Sequence, residues 1–368
     1  MSNTIDIHGD KSVYTWLITD QLTSYYDDQL STIGNMAFAY CNSLVSVSLP
    51  MITRIPYSAF QCCSNLHDLY LPSVTGIQGH AFDGCSSLSE ADFPHVSSLE
   101  GYAFSGCYEL QRASFPLISS IQYGVFQSCS NLTSVYAPSV TLISGYAFAN
   151  CQMLSSVSFP MVTTLLNDAF GSCYSLAAVN FSSVSSLPTY VFYRCSALSS
   201  VNIPGVRVVG AYAFAYCRSL SSIDFPLVSE IYSNGFYGCN ILASVSFPLL
   251  TTILNYAFYE CFAMSIVNTP FVSYIGYGAF NYCSSLTEIS FPYVTYISER
   301  AFGQCNNLRT AVIGISVSSV CTIMSSDIFN GTHSDLRIYV PDSMTTAYRE
   351  ADNWSYYSSA IYGISEKP

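Results

Sequence analysis

Thirteen cysteines in this sequence follow one another at intervals of 22 residues, and this spacing constrains the fold more than any other feature. They are Cys41, Cys63, Cys85, Cys107, Cys129, Cys151, Cys173, Cys195, Cys217, Cys239, Cys261, Cys283 and Cys305. A phenylalanine keeps the same period three residues before each of them, from Phe38 to Phe302. A fixed period of this length is typical of repeat arrays, in which each repeat packs mainly on its neighbours. The 368 residues are therefore predicted to form one array instead of two or three globular domains.

The repeat that begins at Cys283 indicates the local structure of each coil. Its segment 286–291 alternates apolar and polar residues, which predicts a short strand with one buried face. Pro292 follows, and proline, which has no N–H to donate, ends this strand in 11 of 13 repeats. Val294 and Ile297 supply two further inward side chains in an irregular crossover. The Ala-Phe-x-x-Cys spacing then favours one helical or 3-10 turn.

The cysteines are interpreted as buried free thiols that act as small hydrophobic residues. Equivalent cysteines in stacked coils would lie about 4.8 Å apart, a separation that by itself permits disulfides. In-register side chains all point the same way, however, and an odd ladder of thirteen does not pair completely. Occasional bridges or a bound metal remain the alternative. Only Cys62 and Cys321 lie off the ladder, and no CxxC pair is present, so a zinc site is not expected.

Composition and charge exclude several classes of partner. Half of the residues are hydrophobic and 9% are charged, but no apolar run approaches the roughly 18 residues that span a bilayer. The formal charge of −12 repels phosphate backbones and anionic lipids, so neither nucleic acid nor a membrane is an expected partner. The first twenty residues do not resemble a secretory signal, which favours a place inside the cell or export on an assembled particle.

The repeated segments L-x-x-V-x-F-P and A-F-x-x-C-x-x-L together resemble the BspA-type leucine-rich repeat of bacterial and some protist surface proteins. The resemblance covers about residues 30 to 313 and all thirteen repeats. It implies a leucine-rich-repeat solenoid, a β-rich right-handed superhelix of 13 coils of 22 residues with short parallel strands on one face. Short helical or 3-10 turns and small helical caps complete this fold. It also implies an adhesion or interaction protein without catalytic residues, located outside the cell or on its surface.

The template divides the chain into three predicted regions. Residues 1–29 are predicted to form an N-terminal cap with a short helix, and residues 30–313 the BspA-like repeat array. Residues 314–368 are predicted to form an irregular last coil and a C-terminal helical cap. Within this last region, residues 336–340 are interpreted as a closing strand, and Asp342 or Ser343 as the cap of a following helix.

No motif in the sequence points to catalysis. A nucleophile elbow, a phosphate-binding loop, a dinucleotide fingerprint and the HExxH pattern are all absent, and the five histidines occupy different repeat phases. We therefore predict no catalytic residue, no cofactor and no metal ligand.

The residues most informative about function are those that the template leaves free. Outward strand residues lie five and seven positions after each ladder cysteine, and carboxylates and tyrosines concentrate among them in the N-terminal third. The candidate partner-binding residues are Asp68, Tyr70, Glu90, Asp92, Arg112 and Tyr136. Carboxylates beside tyrosines can bind a basic protein segment, a glycan or, weakly, a calcium ion. The alternative is that these groups only solvate the sheet surface.

Tyrosine is the second unusual feature, with 30 copies. Several precede the Ala-Phe pair, as Tyr212 and Tyr256 do, while others such as Tyr193, Tyr237 and Tyr259 form separate columns. Structural stacking is the preferred interpretation, because a tyrosine ring can pack while its hydroxyl reaches water. A side surface that binds partners or sugars is the alternative.

The sequence as a whole predicts a non-enzymatic, monomeric binding or adhesion module that presents a polar concave face to a protein or glycan. The alternative function is a structural or receptor-binding component of a phage tail or another secreted particle.

Overall fold

The computed structural model describes residues 22–368. The chain divides into two compact units, Met1–Phe181 and Ser182–Pro368, and both contain stacked parallel strands. Of the predicted N-terminal cap with its short helix, residues 1–29, residues 1–21 lie outside the described residues. The predicted cap region also contains a strand, Ser24–Tyr26, which pairs in parallel with Ser46–Ser48.

In the first unit, most coils contribute one strand of three residues and one of two. The three-residue strands are Ser24–Tyr26, Ser46–Ser48, Asp68–Tyr70, Glu90–Asp92, Arg112–Ser114, Ser134–Tyr136 and Ala178–Asn180. The two-residue strands are Arg54–Ile55, Gly76–Ile77, Ser98–Leu99, Ser120–Ile121, Leu142–Ile143 and Thr164–Leu165. The coil between them that lacks a three-residue strand keeps an isolated parallel bridge from Ser156 to Ala178.

The second unit repeats this arrangement and adds the helices at its end. The strands that follow the ladder cysteines are Ser200–Asn202, Ser244–Ser246, Ile266–Asn268, Glu288–Phe291 and Thr310–Ile313, with Arg337–Val340 and Ile361–Gly363 beyond them. The two-residue strands are Ser186–Leu187, Val208–Val209, Glu230–Ile231, Thr252–Ile253, Tyr274–Ile275, Tyr296–Ile297 and Thr322–Ile323. The α-helix is Thr345–Glu350, and the 3-10 helices are Asp342–Met344, Trp354–Ala360 and Ile364–Glu366.

Within each unit the coils stack in register. Glu90 pairs with Arg112 in the first unit and Ser244 with Ile266 in the second, each pair being 22 residues apart. The ladder phenylalanines stack in the same step, with ring centroids 5.2 Å apart for Phe148 and Phe170. The predicted leucine-rich-repeat solenoid with parallel strands and 22-residue coils is thus confirmed. Strands also occur before and after the thirteen predicted repeats, namely Ser24–Tyr26 on one side and Thr322–Ile323 and Arg337–Val340 on the other.

The crossover and the turns differ in detail from the prediction. The crossover contains a regular two-residue strand, whose backbone pairs in parallel with that of the next coil; Ile55 lies opposite Ile77, and both are buried. In the turn, the N–H of Cys63 donates to the carbonyl oxygen of Phe60 at 3.1 Å, the i→i+3 bond of a 3-10 turn. Cys62 between them has a φ of 57°, in the left-handed region, so the segment reverses like a β-turn and does not continue as a helix.

Left-handed residues recur at two fixed positions in every repeat. One lies two residues before each ladder phenylalanine and the other lies one residue before each ladder cysteine, and most of them are not glycine. The left-handed conformation costs roughly 1–2 kcal/mol for such residues. Their N–H groups point to the next coil: Ser58 donates to Gly79 at 3.0 Å and Cys62 donates to Asp83 at 2.7 Å. Stacking therefore stabilises a turn that an isolated coil would disfavour.

The ladder cysteines are all buried, as predicted. Their thiols also connect neighbouring coils, a role that the sequence did not suggest. The Sγ of Cys85 donates to the carbonyl oxygen of Phe60 at 3.1 Å, and that of Cys283 donates to Phe258 at 3.2 Å. Burial raises the pKa of the Cys283 thiol well above its ordinary value, which keeps the proton on sulfur for this bond.

Candidate functional site

The outward side chains of the three-residue strands of the first unit form a polar surface, which we call the strand face. In Glu90–Asp92 the two terminal residues are exposed while the central Ala91 is buried. Asp68 and Tyr70 are exposed in the same way. Side chains alternate along a strand, and the register repeats every coil, so equivalent residues stack into columns. The predicted outward orientation of these residues is confirmed.

The strand face is divided between two sheets at the point where its acidic residues lie. The first sheet consists of Ser24–Tyr26, Ser46–Ser48 and Asp68–Tyr70, and the second of Glu90–Asp92, Arg112–Ser114 and Ser134–Tyr136. Asp68–Tyr70 is the last strand of the first sheet, and Glu90–Asp92 is the first strand of the second. Two edge strands therefore follow each other here, and edge strands leave backbone donors and acceptors available for another chain.

A groove crosses this boundary between the sheets. Its volume is about 830 Å³, and its lining runs from Ser24 to His95. The exposed charged, aromatic and imidazole residues among its lining are Tyr26, His67, Asp68, Tyr70, Glu90, Asp92 and His95, whereas Tyr25 and Phe93 are buried beneath it. We call this feature the acidic groove. A volume of this size lies in the range of ligand-binding pockets, in which a few polar groups on the walls set specificity.

Three carboxylates give the acidic groove its charge: Asp68, Glu90 and Asp92. The Asp68 side chain is 70% exposed, and its Oδ2 lies 3.7 Å from Nε2 of His67. Among residues 22–368, no arginine or lysine lies within 4.0 Å of any of the three carboxylates. Their negative charge is therefore available to a cation from outside the chain.

Tyrosines flank these carboxylates. Tyr26 and Tyr70 occupy the same strand position two coils apart and are 67% and 61% exposed, with Ser48 between them. A ring of this size beside a serine leaves a notch that a partner side chain can enter. Tyrosine is enriched at protein interfaces because it contributes a large rigid contact area and one polar hydroxyl.

The structure brings together four of the six predicted site residues. Asp68, Tyr70, Glu90 and Asp92 line the acidic groove, while Arg112 and Tyr136 do not. Arg112 is the in-register neighbour of Glu90, and Tyr136 lies one strand further along. Both are exposed, so they extend the strand face beyond the groove.

Three lining residues were missed by the sequence interpretation. Tyr26 has the same repeat phase as Ser48 and Tyr70, so extending the period one step before the first ladder cysteine would have found it. His67 and His95 lie just outside the strands and carry no periodic signal. His67 is held by its Nδ1, which lies 3.0 Å from the carbonyl oxygen of Asn65.

Residues 22–368 contain no group of three or more histidine, cysteine, aspartate or glutamate side chains arranged to hold a metal ion. Over the same residues, no helix has the length and apolar character needed to cross a membrane.

Comparisons with known proteins agree on the repeat type. The family model described as BspA type leucine-rich repeat region matches residues 19–133, 119–239 and 207–334. A leucine-rich repeat protein from Bacteroides ovatus is 24% identical with a TM-score of 0.66, over 91% of this chain and 88% of that chain, and this likeness shows the fold. A leucine-rich cell surface protein from Faecalibacterium prausnitzii is 25% identical with a TM-score of 0.41, over 65% and 83% respectively. No curated protein matches the sequence.

Proposed function

Because this chain belongs to the family of BspA-type leucine-rich repeat proteins, we propose that it is a non-enzymatic binding or adhesion scaffold whose strand face holds a protein partner. The observation that carries this proposal is the acidic groove, with its three carboxylates and two exposed tyrosines on a stacked β-framework. Family membership also supports a location at the cell surface or outside the cell, which is part of the proposal. A stacked array fits this role because neighbouring coils hold its side chains in fixed columns.

The partner that this groove fits best is a basic segment of a protein. Asp68, Glu90 and Asp92 are free of lysine and arginine partners among the described residues, so an incoming basic side chain would not have to displace an internal ion pair. Complementary charge increases the association rate and excludes acidic competitors. The edge strands Asp68–Tyr70 and Glu90–Asp92 offer backbone groups to an extended peptide, and Tyr26 and Tyr70 offer ring faces for its aliphatic stems.

The test measures binding of a fluorescent decalysine peptide by anisotropy at low and at physiological salt. The groove variant carries Asp68→Asn, Glu90→Gln and Asp92→Asn. The control variant carries Asp224→Asn, Glu230→Gln and Glu299→Gln, which are exposed positions of the second unit and remove the same net charge. Comparing the two variants separates local contacts from the general attraction of an acidic chain for a polycation.

We expect the groove variant to bind about 5- to 100-fold more weakly, since exposed ion pairs contribute about 0.2–1 kcal/mol each and partly buried ones more. The control variant should bind within about twofold of the original chain, and higher salt should weaken binding of both. Equal losses in the two variants would show that only net charge matters and would contradict the groove assignment. A neutral glycan that binds independently of the three carboxylates would replace the basic segment as the partner.

A further inference from the structure

The second unit contains a basic stretch in an otherwise acidic chain. The sequence has 23 acidic and 11 basic residues, yet residues 182–223 contain no aspartate or glutamate. The same residues include Arg194, Arg207 and Arg218. A local excess of positive charge attracts anions even when the net charge of the protein is negative, because salt screens charges beyond about 10 Å.

Next to this basic stretch lies a continuous group of tyrosines, which we call the tyrosine belt. Each ring contacts at least one other, with centroid separations between 4.8 and 6.5 Å. Its members are Tyr190, Tyr193, Tyr212, Tyr216, Tyr237, Tyr256, Tyr259, Tyr277 and Tyr282. All of them lie on or beside the turn segments and retain some solvent exposure. The belt is thus separate from the outward residues of the three-residue strands.

The backbone fixes the rings of the belt. Tyr216 has a left-handed φ of 63°, and its ring lies over Gly238, where an added Cβ would approach Cδ1 of the ring to 2.9 Å. Tyr256 lies over Gly278 in the same way, at 3.0 Å. The rings of Tyr216 and Tyr237 also contact each other, with centroids 5.2 Å apart. Rings that are already ordered lose little conformational entropy when a ligand binds.

Two arginines of the basic stretch stack on the belt. The guanidinium carbon of Arg194 lies 5.1 Å from the ring centroid of Tyr193 and 5.8 Å from that of Tyr216. Arg218 lies 5.8 Å from Tyr216. Within the described residues, neither arginine has a carboxylate within 4.0 Å. A guanidinium group stacked on a ring keeps its N–H edge available for an anion. Arg194 and Arg218, which both lie near the ring of Tyr216, can therefore donate hydrogen bonds to an anionic ligand.

We propose that the tyrosine belt and its two arginines form a second binding site, which takes an acidic polysaccharide. A sugar ring has an apolar C–H face and a rim of hydroxyl groups, and a tyrosine ring offers a matching apolar face with a hydroxyl at its edge. Coils repeat about every 4.8 Å, close to the length of one sugar unit, so consecutive units can meet consecutive rings. Arg194 and Arg218 bind the carboxylate or sulfate groups of the chain.

An acidic peptide fits these observations less well. It has the charge that the arginines require, but side chains of aspartate and glutamate present no flat apolar face to a row of rings. Its backbone would also need donors and acceptors in a regular array, which strands supply and tyrosine hydroxyls do not. The aromatic part of the belt therefore favours the polysaccharide.

The experiment measures binding of the full chain to four polymers by biolayer interferometry: polygalacturonate, chondroitin sulfate, neutral dextran and polyglutamate. The belt variant carries Arg194→Gln and Arg218→Gln. The control variant carries Arg54→Gln and Arg309→Gln, which remove the same charge from exposed arginines outside both the basic stretch and the belt. A third variant, Tyr193→Leu, removes one half-exposed ring and leaves both arginines.

We expect polygalacturonate or chondroitin sulfate to bind the original chain. Because chondroitin sulfate carries both carboxylate and sulfate groups, stronger binding of it than of polygalacturonate would indicate that sulfate contributes. The belt variant should lose about tenfold or more of this affinity, Tyr193→Leu should lose part of it, and the control variant should change it by less than about twofold. Stronger binding of polyglutamate than of either acidic polysaccharide would overturn the proposal in favour of an acidic peptide. Failure of both polysaccharides to bind, or equal loss in the belt and control variants, would overturn it outright.

Discussion

The repeated coils and the C-terminal segment, residues 314–368, solve the same hydrogen-bonding problem in different ways. Inside the repeats, backbone and thiol donors of one coil find acceptors in a neighbouring coil of the same sequence pattern, as Cys283 does with Phe258. This pattern repeats along the interior coils, with interruptions such as the boundary between Asp68–Tyr70 and Glu90–Asp92. The last coil has no following copy, so its polar groups need other partners.

The C-terminal segment supplies those partners from individual side chains. The indole N–H of Trp354 donates to the carbonyl oxygen of Cys321 at 2.6 Å. The N–H of Cys321 donates to the hydroxyl of Tyr348 at 3.0 Å. Nδ2 of Asn353 donates to the carbonyl oxygen of Ile323 at 3.1 Å. Each of these hydrogen bonds occurs once. In the interior, equivalent bonds recur in many coils, so no single residue is decisive. At the C-terminal end, stability depends on individual side chains.

Trp354→Ala is expected to cause the largest loss of stability that this comparison predicts. Trp354 is 1% exposed, so its removal leaves a large cavity and an unpaired carbonyl group on Cys321. We expect the free energy of unfolding to fall by about 3–5 kcal/mol. Urea denaturation followed by circular dichroism measures the change. Tyr356→Ala, at a ring that is 74% exposed in the same helix, serves as the control and should cost less than about 0.5 kcal/mol.

A loss of under about 1 kcal/mol for Trp354→Ala would contradict the comparison. It would mean that the last coil tolerates open backbone groups and that the side chains of the C-terminal segment only cover it.

The interior of the repeats was predictable from the sequence because each buried position recurs at one phase. Phe302 and Cys283 were assigned to the core on that ground, and both are buried. The same phase argument placed Glu90 and Asp92 on the outside of a strand, where the structure has them. Periodicity identifies a side-chain direction well, because a register error would turn every copy to the wrong face.

The turns and the groove were not predictable in the same way. Tyr216 and Arg194 adopt left-handed conformations without the glycine that usually marks them, since hydrogen bonds to the next coil offset the cost. The boundary between Asp68–Tyr70 and Glu90–Asp92 depends on hydrogen bonding between coils that share one template. His67 lines the groove from a position with no repeated character. Whether the groove residues bind a partner stays a prediction.

Cys283→Ala tests the role of the ladder thiols against a cysteine of the C-terminal segment. Both Cys283 and Cys321 are fully buried, but the Sγ of Cys283 lies 3.2 Å from Phe258 whereas that of Cys321 lies 3.7 Å from the carbonyl oxygen of Thr322. Removing either sulfur should cost about 1–2 kcal/mol for the lost packing. Cys283→Ala should cost about 0.5–1 kcal/mol more, because it also removes the bond between coils.

Urea denaturation of the two variants gives this difference directly. If Cys321→Ala were the more destabilising change, the thiol-to-carbonyl bond would not contribute to stacking, and the ladder cysteines would be hydrophobic filling only.

The smallest expected effect has the opposite sign and concerns left-handed residues in the two regions. Ser128 has a φ of 61° in a repeat turn, where its N–H donates to Ala149 at 2.8 Å. Ser128→Gly keeps that backbone bond and relieves the left-handed strain, so stability should rise by about 0.5–1 kcal/mol after the entropy cost of glycine. Ser128→Ala, which keeps the strain, is the control and should change stability by less than about 0.5 kcal/mol.

Asn353 has a similar φ of 62° in the C-terminal segment, but its side chain donates to the carbonyl oxygen of Ile323. Asn353→Gly removes that bond, and asparagine tolerates the left-handed region well, so the substitution should lower stability by about 1 kcal/mol. Thermal unfolding of both glycine variants tests this contrast. A gain from Asn353→Gly equal to that from Ser128→Gly would show that the side chain of Asn353 contributes nothing, and that backbone strain alone governs both regions.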